Sequence, residues 1–255
     1  MLREFSLDGQ NALVTGGGRG IGRAIALTLA EAGANVAVAA RTLSQLESVA
    51  DEINALNRQS IALPADVTDP LSVQKMVAQA IDHFGEINIL VNNAGVSGKV
   101  LALSESDTAW HTILGTNLSG PFYCCRAVAQ HMIERGSGRV INISSVSGTI
   151  AAVGGLAYNS SKAALNMLTK VLAMEWAPYN VGVNAIGPGW FDTEMSHQSI
   201  ETAEDKAALE GSIPLGRLTT LRDLGLLAVY LASPASSWMT GQIIYLDGGE
   251  TAAFL

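Results

Sequence analysis

A short apolar run that stops at a cluster of glycines and restarts as an amphipathic helix leaves a chain few ways to fold. This chain carries such a junction near its N-terminus. Asn11 to Val14 lead into Thr15-Gly16-Gly17-Gly18-Arg19-Gly20-Ile21-Gly22, followed by Arg23-Ala24-Ile25-Ala26-Leu27-Thr28-Leu29-Ala30. The pattern reads as strand, tight turn and helix. Gly16, Gly20 and Gly22 allow the turn and let a pyrophosphate approach backbone N–H groups at a helix N-terminus, where the dipole favours an anion. A flexible glycine loop is the alternative, and the flanking strand and helix argue against it.

The alternation continues. Asn35 to Ala40, Ser60 to Ala65, Ile87 to Val91, Arg139 to Ile143, Val181 to Ile186 and Gln242 to Leu246 read as further strands. Helical stretches run from about Leu43 to Leu56, Pro70 to Phe84, Trp110 to Arg135 and Ala157 to Trp176. Pro70 suits a first helical turn, with Thr68 and Asp69 as capping candidates. Strands alternating with helices mean parallel pairing with crossover helices. No change of composition marks a second domain, so residues 1–255 are expected to form one. Trp190 to Pro214 is the least periodic stretch, either a solvated connection or a lid over a ligand crevice.

Composition narrows the function classes. The 255 residues are 48% hydrophobic and 15% charged, which excludes a disordered chain. A formal net charge of -8 provides no basic footprint for nucleic acid or anionic membrane. No apolar stretch reaches the roughly 18 to 20 residues of a membrane span, so a cytoplasmic protein is expected. Cys124 and Cys125 are adjacent, which strains a disulfide between them and points to two packed thiols. His83, His111, His131 and His197 have no metal-ligand spacing, and no metal is expected.

Tyr158-Asn159-Ser160-Ser161-Lys162 sets a phenol and an ammonium four residues apart, on one face of a helix. A phenol working near pH 7 needs its pKa of about 10 depressed by roughly 3 units. A cation about 5 Å away, at an effective dielectric of about 20, contributes more than about 2 of them. In isolation such a pair is also met as a solvated one, with the lysine stem over the ring. Ser145 lies upstream, but Ser144 and Ser147 flank it, and the residues alone leave three candidate hydroxyls. Ser160 and Ser161 face other directions on the helix.

Taken together, the glycine turn, Asn92-Asn93-Ala94-Gly95, Asn117, Ser145, Tyr158 with Lys162, Pro188-Gly189 and Asp247-Gly248-Gly249 resemble the motif set of the short-chain dehydrogenase/reductase family in order and spacing. The likeness runs from about Leu7 to Gly249. It implies a single-domain Rossmann-type α/β fold, a doubly wound parallel sheet of about seven strands with helices on both faces. It also implies a nicotinamide-dependent oxidoreductase with Asn117, Ser145, Tyr158 and Lys162 as catalytic residues, and its spacing selects Ser145. In the implied reduction, hydride passes from nicotinamide to a carbonyl carbon while Tyr158 gives a proton to the oxygen and Ser145 steadies it. Lys162 favours the phenolate and holds ribose hydroxyls. The side chain of Asn117, or a local distortion of its helix, holds a water behind Lys162.

The resemblance also assigns the cofactor residues. They are Gly16, Gly18, Arg19, Gly20, Ile21 and Gly22 in the turn; Asp66 and Val67 beside the adenine; Asn93, Ala94 and Gly95; Tyr158 and Lys162; Pro188 and Gly189; and Thr193 at the carboxamide. The second strand ends Ala39-Ala40-Arg41-Thr42 without the acid that accepts from the 2′-OH of NAD. Arg41, with Arg19 opposite, suits a 2′-phosphate, so the expected cofactor is NADP(H); two solvated arginines are the alternative.

The expected substrate walls are Val96 to Leu101, Val146 to Ala157 and the lid from about 190 to 214. Ala151, Ala152, Val153 and Leu156 favour a small carbonyl or secondary alcohol over a polyol. The subgroups resembled are 3-oxoacyl-thioester reductases and gluconate or polyol dehydrogenases. The resembled reductases of the acidic acyl carrier protein have basic residues near the ends of the two long helices, where this chain has Gly136 and Tyr179, with Arg135 adjacent, and a net charge of -8 disfavours steering an acidic carrier. A free small molecule is therefore favoured. A non-catalytic NADP-binding interaction protein is the alternative of another class, and it would not need the full catalytic set. Ala127, Val128, Met132, Leu165, Met167, Leu168 and Leu172 offer apolar surface for a homotetramer.

Overall fold

The computed structural model describes residues 2–191 and 202–252. Seven parallel strands, β1 (Asn11–Thr15), β2 (Asn35–Ala40), β3 (Ser60–Pro64), β4 (Ile89–Asn92), β5 (Gly138–Ile143), β6 (Val181–Pro188) and β7 (Ile243–Leu246), form one sheet. Their order is β3-β2-β1-β4-β5-β6-β7. Each expected strand is present to within two residues at either end. Helices α1 (Gly20–Glu31), α2 (Leu43–Ala55), α3 (Pro70–Phe84), α4 (Asp107–Leu114), α5 (Gly120–Arg135), α6 (Leu156–Trp176), α7 (Ala203–Ser212) and α8 (Leu221–Ala232) complete the described chain.

Strand periodicity builds two separate cores. Ala12, Val14, Val36 and Val38 face Ile25 and Leu29 of α1, Leu46 and Ile53 of α2, and Leu224 and Ala228 of α8. The intervening Leu13, Ala37 and Ala39 face Val73 and Met76 of α3, Val128 and Met132 of α5, and Leu172 and Trp176 of α6. A sheet covered on both faces needs apolar residues at consecutive positions, which explains the unbroken runs of these strands. Each fully buried large side chain contributes roughly 1.5–3 kcal/mol.

Two helical features depart from expectation. The single helix expected from Trp110 to Arg135 is α4 and α5 joined through a π-helical turn at Gly115–Ser119. The stretch read as least periodic contains α7, and α8 follows it. Both start at a capping box, Thr202 with Asp205 and Thr220 with Asp223. No buried residue anchors α7, which is why apolar periodicity did not reveal it.

Strand order reverses between β1 and β4, so their C-terminal ends frame a crevice. Thr15 closes β1, and its hydroxyl accepts from the N–H groups of Asn93 (3.1 Å) and Ala94 (3.2 Å). The Asn93 amide donates back to the carbonyls of Thr15 (3.0 Å) and Gly16 (3.1 Å). Gly16 has φ +65°, and a β-carbon on Gly22 would meet the Gly16 carbonyl and the Asn93 amide. Glycine is thus required by close approach at 22 and by conformation at 16. Among the described residues, no helix is long and apolar enough to cross a membrane.

Candidate active site

Helix α6 carries the phenol and the ammonium. Tyr158 is partly buried and Lys162 is 5% exposed, one turn further along. The Lys162 Nζ lies 5.6 Å from the centre of the Tyr158 ring and donates to the carbonyl of Ile143, at the end of β5, at 2.8 Å. Ser145 lies just beyond β5. Its hydroxyl accepts from Ser147 N–H at 3.1 Å and stands near enough to the Tyr158 phenol to lower its pKa. The three serines left open by the sequence separate cleanly. Ser144 turns inward and donates to Asn166 Oδ1 at 2.6 Å, Ser147 gives its backbone N–H to Ser145, and of the three only Ser145 bears on the pKa of the phenol.

The charge balance differs from the one expected. Burial pushes the Tyr158 phenol above its ordinary value, against the opposing hydrogen bond from Ser145. Burial also pushes the Lys162 ammonium down, to about 8. The anticipated depression of the phenol by its lysine neighbour is absent from the free protein, because desolvation disfavours the charged form of both groups. Lys162 also directs its ammonium at a backbone carbonyl.

Asn117 sits in the π-helical turn and is fully buried. Its side chain accepts from Val96 N–H, and donates to the Val96 carbonyl at 2.9 Å and to Ser161 Oγ at 3.0 Å. The amide is therefore occupied, and the helix is distorted at this point: Gly120 N–H bonds back to the Gly115 carbonyl. Ser161, read as facing away, is buried and joins Asn117 to the Tyr158 carbonyl. Gly95 completes the group, since a β-carbon there would lie 3.4 Å from Asn117 Oδ1 and 3.8 Å from Lys162 Nζ.

The residues expected around a cofactor line the same edge of the sheet. Gly16, Gly18, Gly20, Ile21 and Gly22 form the turn into α1, and Arg19 caps that helix from an extended, exposed position. Arg41 is exposed just beyond β2. Asp66 and Val67 follow β3; the Asp66 carboxyl is held below its usual value chiefly by the N–H of Thr68, with the Thr68 hydroxyl and the Arg41 cation adding to the effect. Pro188 ends β6, and Gly189 packs against Asp247, whose α-carbon would be 2.9 Å from an added β-carbon. Thr193 and His197 lie outside the described residues.

A buried polar seam that sequence reasoning missed runs beside the site. Asn92 donates to Asn142 Oδ1 at 2.9 Å, Asn142 donates to Thr169 Oγ1 at 2.9 Å, and Asn166 receives Ser144. The available signal was an asparagine inside each of the apolar strands β4 and β5. Cys125 accepts from Asn92 at 3.3 Å and its thiol is pushed up to about 12 by burial; both cysteines are free and buried. Among the described residues no three His, Cys, Asp or Glu side chains converge on one point.

Comparison with known proteins accords with this geometry. The family described as enoyl-(acyl carrier protein) reductase matches residues 16–251. A gluconate 5-dehydrogenase of Gluconobacter oxydans is 37% identical over 98% of this chain and 97% of its own. A 3-oxoacyl-(acyl-carrier-protein) reductase of Staphylococcus aureus is 37% identical over 94% and 97%. The crystal structure of a gluconate 5-dehydrogenase from Burkholderia cenocepacia, in complex with NADP and tartrate, superposes with a TM-score of 0.95 at 36% identity, covering 98% of both chains.

The low value of Lys162 makes a stability prediction. Its folded value, about 8, is below its ordinary 10.5. Between those limits the unfolded chain binds more protons, so the lysine's contribution to stability rises with pH. Urea denaturation of Lys162→Met and its parent should show their difference moving in the parent's favour by about 3 kcal/mol from pH 7 to 10.5. A difference independent of pH contradicts the assigned burial.

Proposed function

This chain belongs to the short-chain dehydrogenase/reductase family, and on that footing we propose that it is an NADP(H)-dependent oxidoreductase acting on a small carbonyl compound or secondary alcohol. The observation that carries the proposal is the convergence of Ser145, Tyr158 and Lys162 beside the crevice framed by β1 and β4.

The residues present fit the cofactor. The turn at Gly16 to Gly22 leaves no room for a β-carbon at 16 or 22, so backbone N–H groups can close on a pyrophosphate at the start of α1. Arg19 and Arg41 stand where the adenosine ribose would lie and suit a 2′-phosphate. The nearest carboxylate beyond β3, Asp66, is engaged by Thr68. The NADP in the Burkholderia relative supports the same choice. When bound, the nicotinamide supplies or accepts the hydride.

The chain's own residues manage the proton. Tyr158 holds its proton in the free protein, as a donor to a carbonyl oxygen must. Ser145 places a hydroxyl beside the phenol, where it can also meet the substrate oxygen as charge develops there. Lys162 keeps a cation beside the ring and spends one N–H on Ile143, leaving others for ribose hydroxyls. Asn117 fixes the loop at Val96 against α6 through Ser161.

The segment 190–214 is proposed as the substrate lid. Its described ends are tied down, Trp190 O accepting from Thr219 N–H at 3.1 Å and Leu215 N–H donating to Gly248 O at 3.1 Å, while α7 between them buries nothing. The likeness to 3-oxoacyl-(acyl-carrier-protein) reductases favours a second reading, a carrier-bound substrate. Arg135 weighs against it, because its guanidinium donates to Ile87 O and Ser137 O and lies 3.5 Å from Glu86.

A homotetramer is also proposed. Of the apolar residues expected to offer surface, Val128, Met132, Leu165 and Leu172 are buried within the chain. Met167, also among those expected, is exposed at 58%, and with Val171 at 45% and Met174 at 78% it forms a stripe at helical spacing along α6. Light scattering at micromolar concentration should report four subunits; a monomer removes the proposal.

Turnover is tested by NADPH and NADH oxidation with simple ketones, diketones, keto-sugar acids and 3-oxoacyl thioesters. NADPH should be used at least about tenfold better than NADH, and Tyr158→Phe should lose about 10²–10⁴-fold in kcat while still binding NADPH. Preference for NADH overturns the arginine assignment, and undiminished turnover of Tyr158→Phe overturns the proton donor.

A further inference from the structure

We infer that Asn166 is a positioning residue for Ser145: its side-chain amide grips Ser144 and Gly148, on either side of that serine, and holds the turn against α6. This rests on the proposed roles of Ser145 and Tyr158 and adds a residue that touches neither substrate nor cofactor in that scheme. Asn166 is 9% exposed, in a helix face otherwise directed at the core. A buried amide is costly unless its groups are paired, and the partners here are specific. Oδ1 accepts from Ser144 Oγ at 2.6 Å, and Nδ2 reaches the Gly148 carbonyl in a longer contact of 3.4 Å. Gly148 is pressed onto the helix so closely that an added β-carbon would lie 2.6 Å from Asn166 Nδ2 and 3.1 Å from the Lys162 carbonyl.

The spacing explains the consequence. Tyr158, Lys162 and Asn166 fall at i, i+4 and i+8, so one helical stripe carries the phenol, the ammonium and the grip on the serine turn. Ser145 meets the Tyr158 phenol only if the turn keeps its place on that stripe. Ser147 N–H, bonded to Ser145 Oγ, fixes the hydroxyl within the turn but does not fix the turn to the helix. Asn166 and Ser144 supply that second fixation next to the serine, with a longer Ser144 Oγ contact to the Lys162 carbonyl (3.4 Å), while Asn159 holds the Ile150 carbonyl (3.2 Å) further along.

The test separates positioning from general stability. Asn166→Leu keeps the number and branching of side-chain heavy atoms, though the two methyls are bulkier than the amide, and removes both polar contacts. Its kcat should fall about 10- to 100-fold, with the NADPH dissociation constant unchanged within about twofold. Because the Ser145 hydrogen bond lowers the Tyr158 value and Lys162 faces the same ring, loosening Ser145 should move the Tyr158 limb of the kcat–pH profile upward. Ser144→Ala, a milder change, should shift that limb in the same direction, and the double variant should be no worse than Asn166→Leu alone. A folded Asn166→Leu with parental kcat and an unmoved limb overturns the inference, as does a fall in kcat matched by an equal loss of NADPH affinity. Should Asn166→Leu not fold, an unmoved limb in Ser144→Ala overturns it alone. Tyr158→Phe separates the two levels: full turnover there sinks the proton-donor assignment, whereas its loss beside a normal Asn166→Leu sinks only this inference.

Discussion

Lys162 is an ammonium taken almost wholly out of water, and the carbonyl that receives it belongs to Ile143, the last residue of β5. That contact fastens α6 to the edge of the sheet where Ser145 emerges. It does not act alone. Asn166 takes Ser144 one turn further on, and Thr169 takes Asn142 beyond that. A hydrogen bond of this kind adds only about 1 kcal/mol net, but leaving its buried partner unpaired costs about 1–3 kcal/mol. A slip of α6 along β5 would break several such contacts together. The seam therefore sets the register of the helix that bears the phenol, and the chemistry inherits its geometry from that register.

The opposite side of the crevice is built from backbone. Thr15 and Asn93 lock the end of β1 to the start of the loop after β4, and the missing side chain of Gly22 lets the first helix come close to that lock. This half can present N–H groups to an anion but has no acid or base of its own. The other half has the titratable groups. Gly95 bridges them, lying near both Asn117 and Lys162. Function thus depends on the strand-order reversal, which places two unlike edges at the same opening.

Much of this arrangement was legible in the chain. The glycine junction and the unbroken apolar strands identify themselves, because a strand buried on both faces has no polar positions to confuse its ends. Asp69, anticipated as a cap beside Thr68, accepts from Leu71 N–H in α3. Legibility failed where the meaning of a residue depends on what lies opposite. Asn166 and Ser161 look like surface residues of a helix until Ser144 and Asn117 are found facing them. Helices α7 and α8 both carried readable capping boxes; α7 buries nothing and so has no apolar period, whereas α8 has a buried apolar face that was legible as well. The sign of the Tyr158 shift needed coordinates as well, since a lysine four residues away lowers a phenol's pKa only if burial does not outweigh it.

Coupled movement of hydride and proton through this site is the central claim, and paired isotope effects test it most directly. Single-turnover reduction of a ketone would be followed with NADPH carrying deuterium at the transferred position, in H₂O and in D₂O, using the parent protein. The account predicts that the labelled cofactor slows the step by about two- to fivefold and that D₂O slows it further, since the proton from Tyr158 moves in the same barrier. A step insensitive to the cofactor label, with the substrate still consumed, would contradict hydride transfer and with it the reading of the whole site.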